Sequence, residues 1–77
     1  MIKITLDKSV DAAYIYIDNS FNDKPGWVKK TVTVNPQEVD GMINLDFTED
    51  GKLSGIEVID ASKKLPQSLL DQAEIIG

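Results

Sequence analysis

Residues 43–59 read INLDFTEDGKLSGIEVI, which places two alternating apolar runs on either side of an Asp50-Gly51 pair. An Asp-Gly pair between such runs predicts a β-hairpin, because glycine readily takes the positive φ that a tight turn requires. A loop with an even number of residues places the apolar side chains of both strands on one face, as the pairs Leu45–Ile56 and Ile43–Val58. An odd loop would place Ile43 opposite Glu57. Because a slip of one residue moves every side chain to the other face, we predict the even register.

The length of the chain limits the domain that it can form. Its 77 residues make a single small domain, residues 1–77. A chain of this size buries only about 60–65% of the surface that its unfolded form exposes, so its stability is marginal. The sequence has no cysteine and no histidine, which excludes disulfides and the zinc sites built on those ligands. A partner chain is the stabilising device that remains available to so small a domain.

Charge and hydropathy exclude two classes of partner. The net charge of −5 argues against nucleic-acid binding, which depends on clustered lysine and arginine, and against an anionic membrane surface. No apolar run approaches the roughly 18 residues that a transmembrane helix needs. The N-terminal residues lead directly into an alternating strand pattern and do not resemble a signal peptide. We therefore predict a soluble cytoplasmic protein.

Hydrophobic periodicity predicts an α+β fold. Alternating apolar residues indicate five strands, near residues 2–7, 12–18, 28–34, 42–48 and 53–60. After Ile59 the apolar residues recur at helical spacing and predict one helix from about 66 to 74, with Pro66 in its first turn. Short connections between consecutive strands favour a five-stranded antiparallel β-meander with this C-terminal helix packed on its apolar face.

The predicted sheet is wider than the predicted helix. Five strands at about 4.8 Å spacing make a sheet roughly 20 Å wide, whereas one helix is about 10 Å across. The helix therefore covers about half of the apolar face. The uncovered half has to curl over itself or contact another subunit, so we predict a homo-oligomer.

Three segments carry a resemblance to a known family: KITLDKSVDAAYIYID (residues 3–18), VKKTVTV (28–34) and INLDFTEDGKLSGIEVIDASKKLP (43–66). In order and motif they resemble the short prokaryotic proteins grouped as domain of unknown function 2283, and residues 55–66 are the most specific part. The chain differs by a longer loop at residues 19–27 and an extended connection at 35–41. The resemblance implies a β-sheet-plus-helix fold without an established activity. Some relatives are thought to lie beside small toxin-like proteins, which implies an antitoxin-type role with a protein partner.

The hairpin also has the spacing of a calcium-binding loop. Oxygen-bearing side chains occupy positions 1, 3, 5, 9 and 12 and glycine occupies position 6, as Asp46, Thr48, Asp50, Ser54, Glu57 and Gly51. A calcium loop of this kind lies between two helices, but the flanking residues here have strand patterns. We therefore predict no metal and no cofactor. A looser cation site that uses Asp46, Thr48, Asp50 and Glu57 is the alternative.

The polar face of the same hairpin is a candidate ligand site. In the even register Asn44 lies opposite Glu57 and Asp46 lies opposite Gly55. Two carboxylates beside a residue without a side chain could admit a ligand or another backbone, although glycine in a strand also marks a bulge or a close approach. As an acid–base pair, Asp46 and Glu57 lack any visible device that separates their pKa values.

Aromatic residues are the candidate interface. Tyr14 and Tyr16 lie on the face of their strand opposite its aliphatic residues, and aromatic side chains on a polar face often mark a protein interface. Trp27 follows a Pro-Gly pair and is the third candidate. The alternative is that the tyrosines pack against the aliphatic stems of neighbouring lysines.

Three functions remain compatible with these patterns. The first is a non-enzymatic protein-interaction module that self-associates and binds a protein partner, with the antitoxin-like role that the resemblance implies. The second is a small-ligand or cation-binding protein that uses the acidic hairpin. The third is an enzyme with a carboxylate pair. No serine has a histidine that could activate it, and phosphate-binding and dinucleotide-binding motifs are absent. The first function is therefore our prediction.

Overall fold

The computed structural model describes residues 2–17, 28–35, 37–39 and 41–77. In this part of the chain six strands form one mixed sheet. Two short helices lie between the fifth and the sixth strand in the sequence. The strands are β1 (Lys3–Asp7), β2 (Ala12–Tyr16), β3 (Lys30–Thr33), β4 (Ile43–Phe47), β5 (Leu53–Ile59) and β6 (Glu74–Ile75). The helices are α1 (Ala61–Lys64) and α2 (Gln67–Leu70). The strand order is β3-β4-β5-β2-β1-β6, and the fold is the predicted α+β class with most of its regular secondary structure in the sheet.

The central hairpin, formed by β4 and β5, has the predicted register. Leu45 lies opposite Ile56, and Ile43 lies opposite Val58. The loop itself is odd, however: Thr48 donates its backbone N–H to the carbonyl of Lys52 at 2.8 Å, which leaves three residues between them. A β-bulge inserts one extra residue in β5, which restores the register that an even loop would produce.

The predicted meander is wrong in its strand order. β5 pairs antiparallel with β2 as well as with β4, so β3 lies at the edge of the sheet and not beside β2. This order continues the apolar pairing of the hairpin into β2, because Ala13 lies opposite Val58 and Ile15 lies opposite Ile56. The small Ala13 side chain is 2% exposed. In the predicted meander β2 would not lie beside β5, although the apolar residues of these two strands share one face.

The single helix predicted at residues 66–74 is also wrong. Leu65 and Pro66 have extended backbones and separate α1 from α2, which ends at Leu70. Helices of a single turn have little intrinsic stability. The last residues of the chain make backbone hydrogen bonds to β1 and do not continue the helix. Those residues form β6, which pairs parallel with β1: Ile76 donates its N–H to the carbonyl of Leu6 at 3.0 Å. β1 is therefore not an edge strand.

The core lies between the apolar face of the sheet and the two helices. Its buried members are Leu6, Ala13, Val58, Ala61 and Leu70. The first three belong to one cross-strand row on the sheet, and Ala61 and Leu70 come from α1 and α2. None of the helices in the described residues is long and apolar enough to span a membrane.

A second apolar row runs beside the buried one on the same face. Register places Ile4, Ile15, Ile56, Leu45 and Val32 side by side across five strands, and we call these residues the outer row. None of them is fully buried, and Val32 is 40% exposed. Only Ile56 of this row packs against the core cluster. Among the described residues, the helices thus cover one row of the apolar face and leave the outer row partly open.

Candidate functional site

The polar residues of the predicted site lie on the opposite face of the sheet, which we call the polar face. Side chains alternate between faces, so register alone groups them into two adjacent cross-strand rows. The first row contains Thr5, Tyr14, Glu57, Asn44 and Thr33, and the second contains Lys3, Tyr16, Gly55, Asp46 and Thr31. The four candidate ligand residues and both tyrosines therefore share this polar face. The hairpin residues lie where the predicted register required. The position of the tyrosines beside them depends on the pairing of β2 with β5, which was not predicted.

Tyr14 occupies the space above Gly55. Its hydroxyl donates a hydrogen bond to Asp46 Oδ2 at 2.5 Å, across the β5 strand that lies between them. A Cβ atom added to Gly55 would lie only 2.1 Å from the Tyr14 hydroxyl oxygen and 2.5 Å from the adjacent ring carbon. Real Cβ atoms do not approach other atoms so closely. The gap that could have admitted a ligand is therefore filled by a side chain of the same sheet.

The two carboxylates of the hairpin that lie on the polar face, Asp46 and Glu57, accept hydrogen bonds from their neighbours. Asp46 accepts a second hydrogen bond from the Thr31 hydroxyl on β3 at 2.7 Å. Glu57 accepts one from the side-chain amide of Asn44 at 2.7 Å, and Asn44 in turn accepts one from the Thr33 hydroxyl at 2.7 Å. These contacts link β3, β4, β5 and β2 across the polar face. Chemically the arrangement is a network of matched donors and acceptors that holds four strands in register.

Burial raises the pKa of the Tyr14 hydroxyl well above its ordinary value. The hydrogen bond to Asp46 raises the pKa further, as do the nearby Asp46, Tyr16 and Glu57 side chains. The ring also contacts Tyr16 edge to face, with ring centroids 4.6 Å apart. Tyr14 therefore stays protonated and donates its hydrogen bond throughout the physiological pH range.

The raised pKa predicts a loss of stability at high pH. An unfolded tyrosine titrates near pH 10, so the stability contributed by protonated Tyr14 is complete below about pH 10 and decreases as the pH rises towards the folded pKa. We expect the free energy of unfolding, measured by urea denaturation from about pH 8 to 11, to fall more steeply in the wild type than in Tyr14→Phe. An equal decline in Tyr14→Phe would contradict this role.

The candidate cation ligands are divided between two places. Thr48 donates its hydroxyl hydrogen to Asp50 within the turn, and this hydrogen bond lowers the pKa of the Asp50 carboxyl. Asp46 and Glu57, in contrast, make their hydrogen bonds on the polar face of the sheet. Within residues 2–17, 28–35, 37–39 and 41–77, no group of three or more acidic, histidine or cysteine side chains is placed to hold a metal ion. The calcium-loop spacing corresponds here to a strand–turn–strand segment.

Two polar residues outside the candidate ligand site of the polar face have structural contacts that the sequence patterns did not indicate. Ser54 is the fully buried residue at the bulge, and its hydroxyl donates to the carbonyl of Asp46 at 3.1 Å. Asp11, with a positive φ, accepts hydrogen bonds from the backbone N–H and the hydroxyl of Ser62 at the start of α1. The Ser54-Gly55 pair inside a strand is the one local signal of the bulge.

The predicted interface residues have different positions. Tyr14 and Tyr16 are half-buried on the polar face, where Tyr14 already contacts Gly55 and Asp46. Trp27 lies outside the described residues. The interface role of these three residues stays a prediction.

Comparison with known proteins identifies one family. The family model described as "Protein of unknown function (DUF2283)" matches residues 3–62, which is more than half of the chain. The matched range contains β1 to β5 and the start of α1, including the whole polar network. No curated protein and no solved structure matches the sequence.

Proposed function

Since this chain belongs to the DUF2283 family, which is described only as being of unknown function, we propose from its structure that it is a non-enzymatic interaction module that self-associates. We place it in the cytoplasm, with a second protein as a further partner. An antitoxin-like role is the form of partner binding that fits the family resemblance. On this proposal the protein acts by binding other protein chains and uses no cofactor.

The observation that carries this proposal is the open outer row. Five aliphatic side chains cross five strands on one face, yet none of them reaches full burial among the described residues. Apolar patches that remain partly open on a small protein are typical of protein–protein contact sites. The edge residue of the row, Val32, is also its most exposed member, so the row is open towards the β3 side of the sheet.

The energetics of a small core favour the same conclusion. Full burial is limited to five apolar side chains in the described part of the chain. Burying about 400 Å² of apolar surface against another chain contributes on the order of 10 kcal/mol before the costs of association. Much of this gain is offset by those costs. A domain with only a few kcal/mol of stability still benefits from what remains.

The polar face favours an interaction module over an enzyme. Asp46 accepts hydrogen bonds from two hydroxyls and Glu57 accepts one from an amide, all within the sheet. A general base has to reach a substrate proton within hydrogen-bonding distance, and these carboxylates already hold strand partners at that distance. Gly55 offers no open space beside them because Tyr14 covers it. We therefore assign the network to holding the sheet together.

Self-association is tested by the mass in solution. We expect light scattering behind size exclusion, at low micromolar concentration, to give at least twice the 8.5 kDa mass of one chain. The mass should remain unchanged in high salt, because apolar burial does not depend on screened charges. A folded species of 8.5 kDa at every concentration would overturn the proposal.

A further inference from the structure

The outer edge of β3 is the longest open strand edge that the described residues leave. β3 pairs with β4 on one side, and no described residue pairs with its other side. All four of its residues are exposed. The other edge of the sheet, β6, has only two residues. An exposed edge presents unpaired N–H and C=O groups, which are a template for pairing with another chain.

Backbone alternation identifies which groups point outward. Val34 donates its N–H to the carbonyl of Ile43 on β4 at 2.8 Å, so residue 34 is in a hydrogen-bonded pair. Along an antiparallel strand such pairs alternate with non-hydrogen-bonded pairs, so Val32 also directs its backbone groups to β4. The N–H and C=O groups of Thr31 and Thr33 therefore point away from β4, to the open edge. Their side-chain hydroxyls bond to Asp46 and Asn44, which fixes the strand in this orientation.

We propose that two copies of this chain pair antiparallel along β3, about a two-fold axis at Val32. This inference rests on the proposed self-association and names its surface. Thr31 of each copy lies opposite Thr33 of the other, and each pair exchanges two backbone hydrogen bonds, so the interface contains four. Val32 faces the second copy's Val32 in a non-hydrogen-bonded pair. The two sheets become one continuous sheet.

The side chains of β3 suit this register on both faces. On the apolar face the two Val32 side chains, each 40% exposed in the single chain, cover one another and join the two outer rows. On the polar face Thr31 lies beside the second copy's Thr33, a favourable cross-strand pair. Beside β3 a groove of about 530 Å³ is lined by Lys30, Val32 and Phe47, together with residues of the hairpin turn. The second copy's Val34 lies opposite Lys30 and faces this groove.

Charge selects the antiparallel direction. Lys29 and Lys30 are adjacent at the start of β3, so parallel in-register pairing would place two like ammonium groups side by side on each face of the sheet. In the antiparallel register the two Lys30 residues are four strand positions apart, which is about 13 Å. That distance exceeds the screening length of roughly 8 Å at physiological ionic strength, so their repulsion is weak. A second copy therefore fits the edge in one direction only.

A disulfide at the two-fold axis tests the register. The chain has no cysteine, so Val32→Cys introduces a single thiol. Opposed residues in a non-hydrogen-bonded pair have Cα atoms about 4.5 Å apart, which is within the range that a disulfide spans. We expect Val32→Cys to form a covalent dimer under mild oxidation at low micromolar concentration, at least about tenfold faster than Val10→Cys. Val10 is 64% exposed in the turn between β1 and β2 and is the matched control.

A proline variant tests the hydrogen bonds. Thr33→Pro removes an N–H that β4 does not use, a change that edge strands tolerate. We expect it to remain folded by circular dichroism and to have the 8.5 kDa mass of one chain. Thr33→Ala loses the same side chain but keeps the N–H, so it should remain a dimer. A wild-type oligomer that persists in Thr33→Pro, with Val32→Cys crosslinking no faster than Val10→Cys, would overturn edge pairing and leave self-association standing. A monomeric wild type would overturn both.

Discussion

Replacing Gly55 by alanine is expected to lower the free energy of unfolding by about 2–3 kcal/mol, within the range of overpacked sites. The added Cβ atom would lie 2.1 Å from the Tyr14 hydroxyl oxygen, so the ring has to leave its position above β5. Displacing the ring also breaks the hydrogen bond from Tyr14 to Asp46, and hydrogen bonds to charged groups contribute about 1.5–3 kcal/mol. Urea denaturation at a fixed protein concentration measures the change.

A double-mutant cycle with Tyr14→Ala isolates the cause of this loss. Without the ring, the alanine at position 55 meets no obstruction from residue 14. Gly→Ala in a strand should then be neutral, or stabilising by about 0.5 kcal/mol, because alanine restricts the unfolded chain more than glycine does. The coupling between positions 14 and 55 is therefore expected to be about 2 kcal/mol. If Gly55→Ala costs as much in the Tyr14→Ala background as in the wild type, the contact between the ring and Gly55 does not explain the glycine.

Leu70→Ala is expected to lower the free energy of unfolding by about 2–4 kcal/mol, as other buried leucines do. Leu70 is 8% exposed and is the residue through which α2 contributes to the core cluster. A domain of this length has a total stability of roughly 4–11 kcal/mol, so the substitution removes a large part of it. Thermal or urea unfolding followed by circular dichroism measures the loss.

Leu69→Ala is the matched control because it makes the same change at the adjacent residue of the same helix. Leu69 is only half-buried and is not part of the core cluster. We expect it to cost less than about 1.5 kcal/mol, because a side chain that is partly in water loses less apolar burial and leaves no closed cavity. Equal losses for Leu69→Ala and Leu70→Ala would mean that α2 does not pack on the sheet through Leu70.

The candidate site shows which contacts a local sequence pattern predicts and which it does not. The hairpin register brought Asn44 and Asp46 opposite Glu57 and Gly55, as the sequence predicted. The partner that fills the space at Gly55 could not be predicted in the same way. Tyr14 comes from β2, 41 positions earlier in the chain, and its contact with Gly55 exists only because β2 pairs with β5. No spacing within the hairpin contains that information.

The sequence by itself determined the central hairpin, the face on which each of its side chains lies and the α+β class. These features follow from residues close together in the chain, because an alternating period and an Asp-Gly turn act over a few positions. Only the tertiary structure decided that β5 lies between β4 and β2, that the last residues form β6 beside β1, and that the helical segment is divided into α1 and α2. The apolar periodicity of a strand states which face is buried, but it does not state which strand is its neighbour. Neighbours are selected by the fit of whole rows, such as Leu6, Ala13, Val58 and Ile43, and that fit exists only once the strands are side by side.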